Sequence, residues 1–202
     1  MTGLLVATNN PGKVREFREL LHGLRLVTPA ELGLEVRVDE TGETFAANAG
    51  LKARAFAEAA GLVALADDSG LEVDALGGTP GVLSARYGGP GLDDQGRYRL
   101  LLQALERFPE PEARRARFRC VVAAAAPDGR FCQAEGTCEG VITPRPVGTG
   151  GFGYDPVFYL PEYDRTMAEV EPVLKNRLSH RAAAVTALRP LLERTFPELL
   201  PV

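Results

Sequence analysis

Short apolar runs alternate with polar turns and amphipathic stretches along the first half of the chain. Leu4 to Thr8 is the first run, and it opens into a dense turn signal, Thr8-Asn9-Asn10-Pro11-Gly12-Lys13. The next residues predict a helix, with Val14, Phe17, Leu21 and Leu24 on one stripe and Arg15, Glu16, Arg18 and Glu19 off it. Leu24 to Val27 reads as a second strand, and Leu34 to Val38 as a further extended piece. Asp39-Glu40-Thr41-Gly42 then precedes an Ala-rich helix over 42–60, with Thr41 as N-cap and Gly61 as its end. Leu62 to Ala66 is continuously apolar, as in a strand buried on both faces, and is predicted to stop at Asp67-Asp68-Ser69-Gly70.

The second half is patterned differently. Asp93 or Asp94 caps a helix predicted to reach about Phe108. Phe118 to Ala126 and Arg130 to Ile142 flank Pro127-Asp128-Gly129 and read as a long β-hairpin. Gly148-Thr149-Gly150-Gly151-Phe152-Gly153 is literally GxGxxG. No apolar strand precedes it and no helix begins after it, so a dinucleotide fingerprint is rejected in favour of a glycine-rich loop. A last helix is predicted from about Ser179, with Val185, Leu188 and Leu192 inward and Pro190 expected to kink or divide it. The pattern is that of an α/β fold with a β-rich second part. It shows no repeat and no linker, so residues 1–202 are expected to form a single domain.

Composition narrows the classes. A formal charge of −4 speaks against a broad basic surface for nucleic acid. No apolar run approaches the ~20 residues of a membrane helix, and Leu4-Leu5-Val6-Ala7 is too short for a signal peptide. The expectation is a cytoplasmic protein with no membrane and no nucleic-acid partner. Cys120, Cys132 and Cys138 are odd in number and lack CxxC spacing, which points to buried thiols over disulfides or zinc.

Several stretches carry candidate chemistry. Asp67 and Asp68 at the carboxyl end of a buried strand fit a ligand or metal site in an open α/β sheet, and equally a solvated turn. Lys13 at a helix start fits an anion site, and equally an ordinary loop; it is not a Walker A lysine, since Ala7 and Val14 stand where Gly and Ser or Thr are required. Asn48 and Lys52 share a helix face, where a lysine more commonly snorkels than meets a ligand. His180 and Arg181 in the first turn of the last helix oppose its dipole, a local misfit of the kind found where residues serve a ligand.

Taken in order, several segments together resemble the inosine/xanthosine triphosphate pyrophosphatase family, the HAM1-like non-canonical purine NTP pyrophosphatases. The segments are Thr8-Asn9-Asn10-Pro11-Gly12-Lys13, Glu40-Thr41-Gly42 with Asn48 and Lys52, Ala66-Asp67-Asp68-Ser69-Gly70-Leu71, Pro80-Gly81 with Ser84-Ala85-Arg86-Tyr87, Gly150-Gly151-Phe152-Gly153-Tyr154-Asp155-Pro156, and Ser179-His180-Arg181. The resemblance covers almost the whole chain and shows no departure at a motif position. It implies an α/β enzyme, a mixed sheet with flanking helices in two lobes around a central nucleotide-binding cleft, and a homodimer. It also implies hydrolysis of ITP, dITP and XTP to the monophosphate and pyrophosphate with Mg²⁺, for which Mn²⁺ is a possible substitute, clearing these nucleotides from the pool.

The same resemblance implies residue roles. Asp68 is the general base, and Glu40, Asp67 and Asp68 are the metal ligands, hard oxygen donors of the type that suits Mg²⁺. Thr8, Asn9, Asn10, Pro11, Gly12, Lys13, Asn48, Lys52 and Ser69 hold phosphates. Phe152, Gly153, Tyr154, Asp155, Lys175, His180 and Arg181 bind the base, with donors from His180 or Arg181 expected to meet the purine 6-carbonyl. Two alternatives are a Maf-type pyrophosphatase for other modified nucleotides and a nucleotide-sensing module without catalysis. The Phe152 loop and Ser179-His180-Arg181 fit the purine enzyme better than the first, and the joint presence of Glu40, Asp67 and Asp68 disfavours the second.

Overall fold

The computed structural model describes residues 3–200. Its backbone forms a seven-stranded sheet in the order β2-β1-β3-β4-β5-β6-β7. Strand β1 (Leu4–Val6) lies parallel to β2 (Leu26–Val27) and to β3 (Ala64–Val73). Strands β4 (Arg115–Ala125) and β5 (Phe131–Ile142) form the expected hairpin, closed by the Ala126 N–H on the Arg130 carbonyl and turned at Gly129 with φ 93°. Strands β6 (Phe158–Leu160) and β7 (Arg165–Thr166) add antiparallel pairings. The sheet is therefore mixed, with flanking helices α1 (Pro11–Leu20), α2 (Phe45–Ala60), α3 (Asp94–Ala104), α4 (Pro172–Leu178) and α5 (His180–Thr195). No helix among the described residues is long and apolar enough to cross a membrane.

Four expectations change. Strand β3 does not stop at the carboxylates but runs through Asp67, Asp68, Ser69 and Gly70 to Val73. Sheet pairing and burial override the turn preference of these residues. A strand alternates its faces, so the adjacent carboxylates point to opposite sides of the sheet. Helix α2 starts at Phe45, capped by the Thr44 hydroxyl on the Ala47 N–H; Gly42 stays in the preceding loop because the Asn48 side chain takes its N–H. Residues 34–38 form no strand. Pro190 does not divide α5, whose inner residues Val185, Leu188 and Leu192 hold it in one core on both sides of the proline.

The chain folds into two compact units made of interleaved segments. The first takes the chain up to Asp68, then Cys120–Gly136 and the part from His180 on; the second takes Ser69–Arg119 and Thr137–Ser179. Each has its own core. The first is built on Leu4, Val6, Phe17, Leu65, Val122, Val185 and Phe196, the second on Leu71, Leu101, Phe118, Ile142, Val157 and Phe158. All three cysteines are free and buried, and burial pushes the Cys120 thiol up to about 12 and Cys138 up to about 11.

In the second unit a buried arginine replaces backbone pairing. Arg114 donates to the carbonyls of Ile142, Thr143, Leu105 and Phe108 at 2.7–3.1 Å. One guanidinium thus satisfies the end of α3 and the end of β5 together. Arg114→Leu should destabilise the protein by about 2–4 kcal/mol, since it strands buried acceptors and lysine cannot copy the fork. Equilibrium urea unfolding checks this, and a change below ~0.5 kcal/mol would reduce Arg114 to an ordinary surface residue.

Candidate active site

In the first unit, three basic residues and four carboxylates meet around Asp67 and Asp68. Helix α1 begins at Pro11, whose missing N–H belongs to a position that needs no partner. The Asn10 side chain caps it, accepting from the N–H groups of Gly12 at 2.8 Å and Lys13 at 3.2 Å. Thr8 in turn accepts from Asn10 N–H at 3.2 Å. The residues expected to cradle phosphate therefore form a closed cap, and Lys13 leaves its first turn to reach both oxygens of Asp67 at 3.0 Å.

Asp67 is 3% exposed and lies on the face covered by α1 and α5. Arg181 donates to its Oδ2 from Nε at 3.2 Å and from a terminal nitrogen at 2.8 Å, and to Glu16 at 2.5 Å. Burial alone would push the Asp67 carboxyl up, but Lys13, Arg181 and Lys52 override it and hold it far below the usual carboxylate range. The same carboxylates keep Arg181 charged at 1% exposure. The misfit of two cations at a helix start thus has a local answer. Arg181 faces buried carboxylates, so a solvated first turn does not describe it. Strand β5 approaches that turn so closely that a Cβ on Gly136 would run into the backbone of His180 and Ala184. His180 is itself buried.

Asp68, 6% exposed, points the other way, to α2. Asn48 donates to its Oδ2 at 3.1 Å, and Lys52 lies 3.7 Å from its Oδ1. The Lys52 ammonium is 3.0 Å from Glu40. Burial raises the proton affinity of Asp68 above the ordinary carboxylate level, and Lys52 and Asn48 only partly offset it. Burial also opposes the Lys52 charge, but Asp67, Asp68 and Glu40 together raise its pKa. Lys52 therefore sits among carboxylates and does not snorkel. Asn48 is 0% exposed and bonded at both ends to protein.

The three carboxylates of the expected metal set, Glu40, Asp67 and Asp68, differ in their surroundings. No group of three or more His, Cys, Asp or Glu side chains among the described residues is arranged to hold a metal ion. The two oxygens of Asp67 pair with Lys13 and Arg181. Glu40 and Asp68 remain as a pair of hard oxygen donors converging on one cationic position, now held by Lys52.

The second unit gathers a different group. The glycine-rich loop carries Phe152 and Asp155, and Lys175 of α4 reaches Asp155 at 2.6 Å while its ammonium lies 4.7 Å from the Phe152 ring centre. Asp155 also accepts from the Phe152 N–H at 2.9 Å. Gly151 turns at φ 73°, and any Cβ there would strike the Asp155 carboxylate, so this position requires glycine on two counts. Gly153 N–H donates to Asp94 at 2.7 Å, which ties the loop to the start of α3. Tyr154 belongs to the core: its hydroxyl donates to the Ser84 carbonyl at 2.9 Å, and burial raises its pKa. Ser69 is half-buried and opens the second unit's stretch of β3.

Sequence reasoning missed four contributors: Glu16, Cys120 (3.9 Å from Asp67), Asp94 and Gly136. Only Glu16 left a signal, one helical turn from Lys13 and so on its face.

Comparison with known proteins agrees with this architecture. The model of the Ham1 family matches residues 4–191. The chain is 52% identical to the dITP/XTP pyrophosphatase of Desulforamulus reducens, over 96% of each chain. It is 47% identical to that of Bacillus subtilis, over 96% of this chain and 98% of the relative. Among solved structures, the Ham1 protein of Staphylococcus aureus superposes with a TM-score of 0.85 at 40% identity, covering 96% of this chain and 99% of that one. A HAM1 protein from Coxiella burnetii gives a TM-score of 0.86 at 40% identity, over 96% and 100%. With nearly every residue matched in sequence and in fold, the chain belongs to the Ham1 family.

Proposed function

We propose that this protein hydrolyses ITP, dITP and XTP between the α- and β-phosphates, releasing the monophosphate and pyrophosphate. The observation that carries this reading is Asp68, a buried carboxylate of raised proton affinity, oriented by Asn48 and set beside Lys52 and Glu40. A general base works best when its proton affinity is raised toward the working pH. Asp68 takes the proton of the attacking water, while Lys13 and Lys52 offset the charge of the triphosphate. Asp67, itself held by Arg181, keeps Lys13 in place. The printed names of the relatives, dITP/XTP pyrophosphatases, agree with the substrate class.

Glu40 and Asp68 fit Mg²⁺, which is commonly held by one or two carboxylates with water and substrate phosphate completing its shell. Bound there, Mg²⁺, or Mn²⁺ in its place, would neutralise phosphate charge and lower the pKa of a coordinated water. In the second unit, the Phe152 ring offers a face on which a purine stacks. The Lys175 ammonium lies beside that ring, 4.7 Å from its centre, and a cationic donor suits the 6-carbonyl of hypoxanthine and xanthine but not the 6-amino group of adenine. The reading includes a homodimer, by likeness to the family, together with a cytoplasmic location and a single functional domain.

A panel of nucleoside triphosphates with Mg²⁺, assayed for pyrophosphate release, tests the proposal. dITP, ITP and XTP should be turned over far faster than ATP and GTP, with pyrophosphate as the product. Release of orthophosphate, or equal turnover of ATP, would sink it. Activity confined to modified pyrimidine or 7-methylguanine triphosphates would favour a Maf-type enzyme, and tight binding without turnover would favour a sensor.

A further inference from the structure

Asn48 stands in the first turn of α2 with no exposed surface, and its amide is used at both ends. Its Oδ1 accepts from the Gly42 N–H at 2.8 Å, and its Nδ2 donates to Asp68 Oδ2 at 3.1 Å. The partners fix which end is which, because a backbone N–H only donates and a carboxylate only accepts. Gly42 lies two residues after Glu40. A Cβ on Gly42 would sit 2.6 Å from Asn48 Oδ1 and 2.7 Å from Ala47 Cβ, so the loop rests on Asn48 and only glycine allows the approach. One buried amide thereby joins the loop carrying Glu40 to the strand carrying Asp68. These are the two carboxylates that meet at the Lys52 position.

We infer that Asn48 is a positioning residue that holds Glu40 and Asp68 at the spacing a divalent cation needs, and that it does not touch the substrate. The inference rests on the reading of Glu40 and Asp68 as the metal-holding pair. Second-layer residues of this kind typically change metal affinity or activity 10–100-fold when removed. Alanine suits a helix better than asparagine, so Asn48→Ala should keep α2.

The decisive experiment measures Mn²⁺ binding to the nucleotide-free protein by electron paramagnetic resonance, with circular dichroism and melting as controls. Asn48→Ala should bind Mn²⁺ about 10–100-fold more weakly than the parent. In the dITP assay at saturating metal its kcat should fall, with KM within about threefold. Gly42→Ala attacks the same link from the loop side and should weaken Mn²⁺ binding in the same direction, even if Asn48→Ala does not fold. Parent-like Mn²⁺ affinity in either folded variant overturns the inference. So does a raised KM with kcat and Mn²⁺ affinity unchanged, which would make Asn48 a phosphate contact, and so does a parent that binds no Mn²⁺. If the parent binds Mn²⁺ but releases no pyrophosphate from dITP, the proposed activity fails, and the Mn²⁺ measurements still decide the role of Asn48.

Discussion

Arg181→Ala should lower stability by about 3–5 kcal/mol, the usual cost of removing one partner from a buried ion pair. For a chain of this size that is a fall in melting temperature of roughly 6–20 °C. The substitution leaves Asp67 and Glu16 buried without their shared cation, and Lys13 has to serve Asp67 alone. The sign of the pH dependence follows from Asp67. Its folded pKa is depressed, so its contribution to stability is present above the unfolded value of about 4 and is lost as pH falls through the folded value. Without Arg181 the folded value rises, and acid unfolding should begin at higher pH. Arg181→Lys should recover only part of the loss, because one ammonium cannot reproduce a fork that spans two carboxylates. Melting curves of both variants between pH 4 and 8 check this. A melting temperature within ~2 °C of the parent would show that the guanidinium does not hold these carboxylates in solution.

Asp68→Asn should lower kcat for dITP by at least the ~10²–10⁴-fold that general-base catalysis supplies. The fold should survive, since asparagine has the same shape and can still accept from Asn48. KM should change little, because Lys13 and Lys52 remain to meet the triphosphate. The assay is run at saturating Mg²⁺, so that weaker metal binding is not read as loss of the base. Near-normal turnover there would remove Asp68 from the role.

The main elements were readable from the hydrophobic pattern, because α1, α2, the β4–β5 hairpin and α5 each bury an apolar set of the right period. The course of β3 was not. Asp67-Asp68-Ser69-Gly70 has the composition of a turn, and only pairing with strands distant in sequence keeps it extended. The residues that gather around Asp67 and Asp68 stood in the motifs, but their pairings did not. Arg181 and Asp67 are 114 residues apart, and nothing local shows that they pair. Asn48 was visible as a neighbour of Lys52 on one helix face, whereas its inward amide bond to Asp68 depends on the packing of α2. Gly136 left no mark at all, since its requirement comes from the backbone of another segment.

The reach of Arg181 also has a consequence in time. Its bonds to Asp67 and Glu16 span 114 and 165 residues. At about 5–20 residues per second, translation from Asp67 to Arg181 takes on the order of ten seconds. During that interval the nascent strand β3 carries a carboxylate whose buried partner does not yet exist. The first unit's core is in the same position, because Leu4 and Phe17 share it with Val185, Leu188 and Phe196. This corner of the molecule therefore closes late in synthesis, and a ribosome stalled before residue 181 holds a chain that has Asp67, Asp68 and both lysines but not the guanidinium that pairs with Asp67 and Glu16.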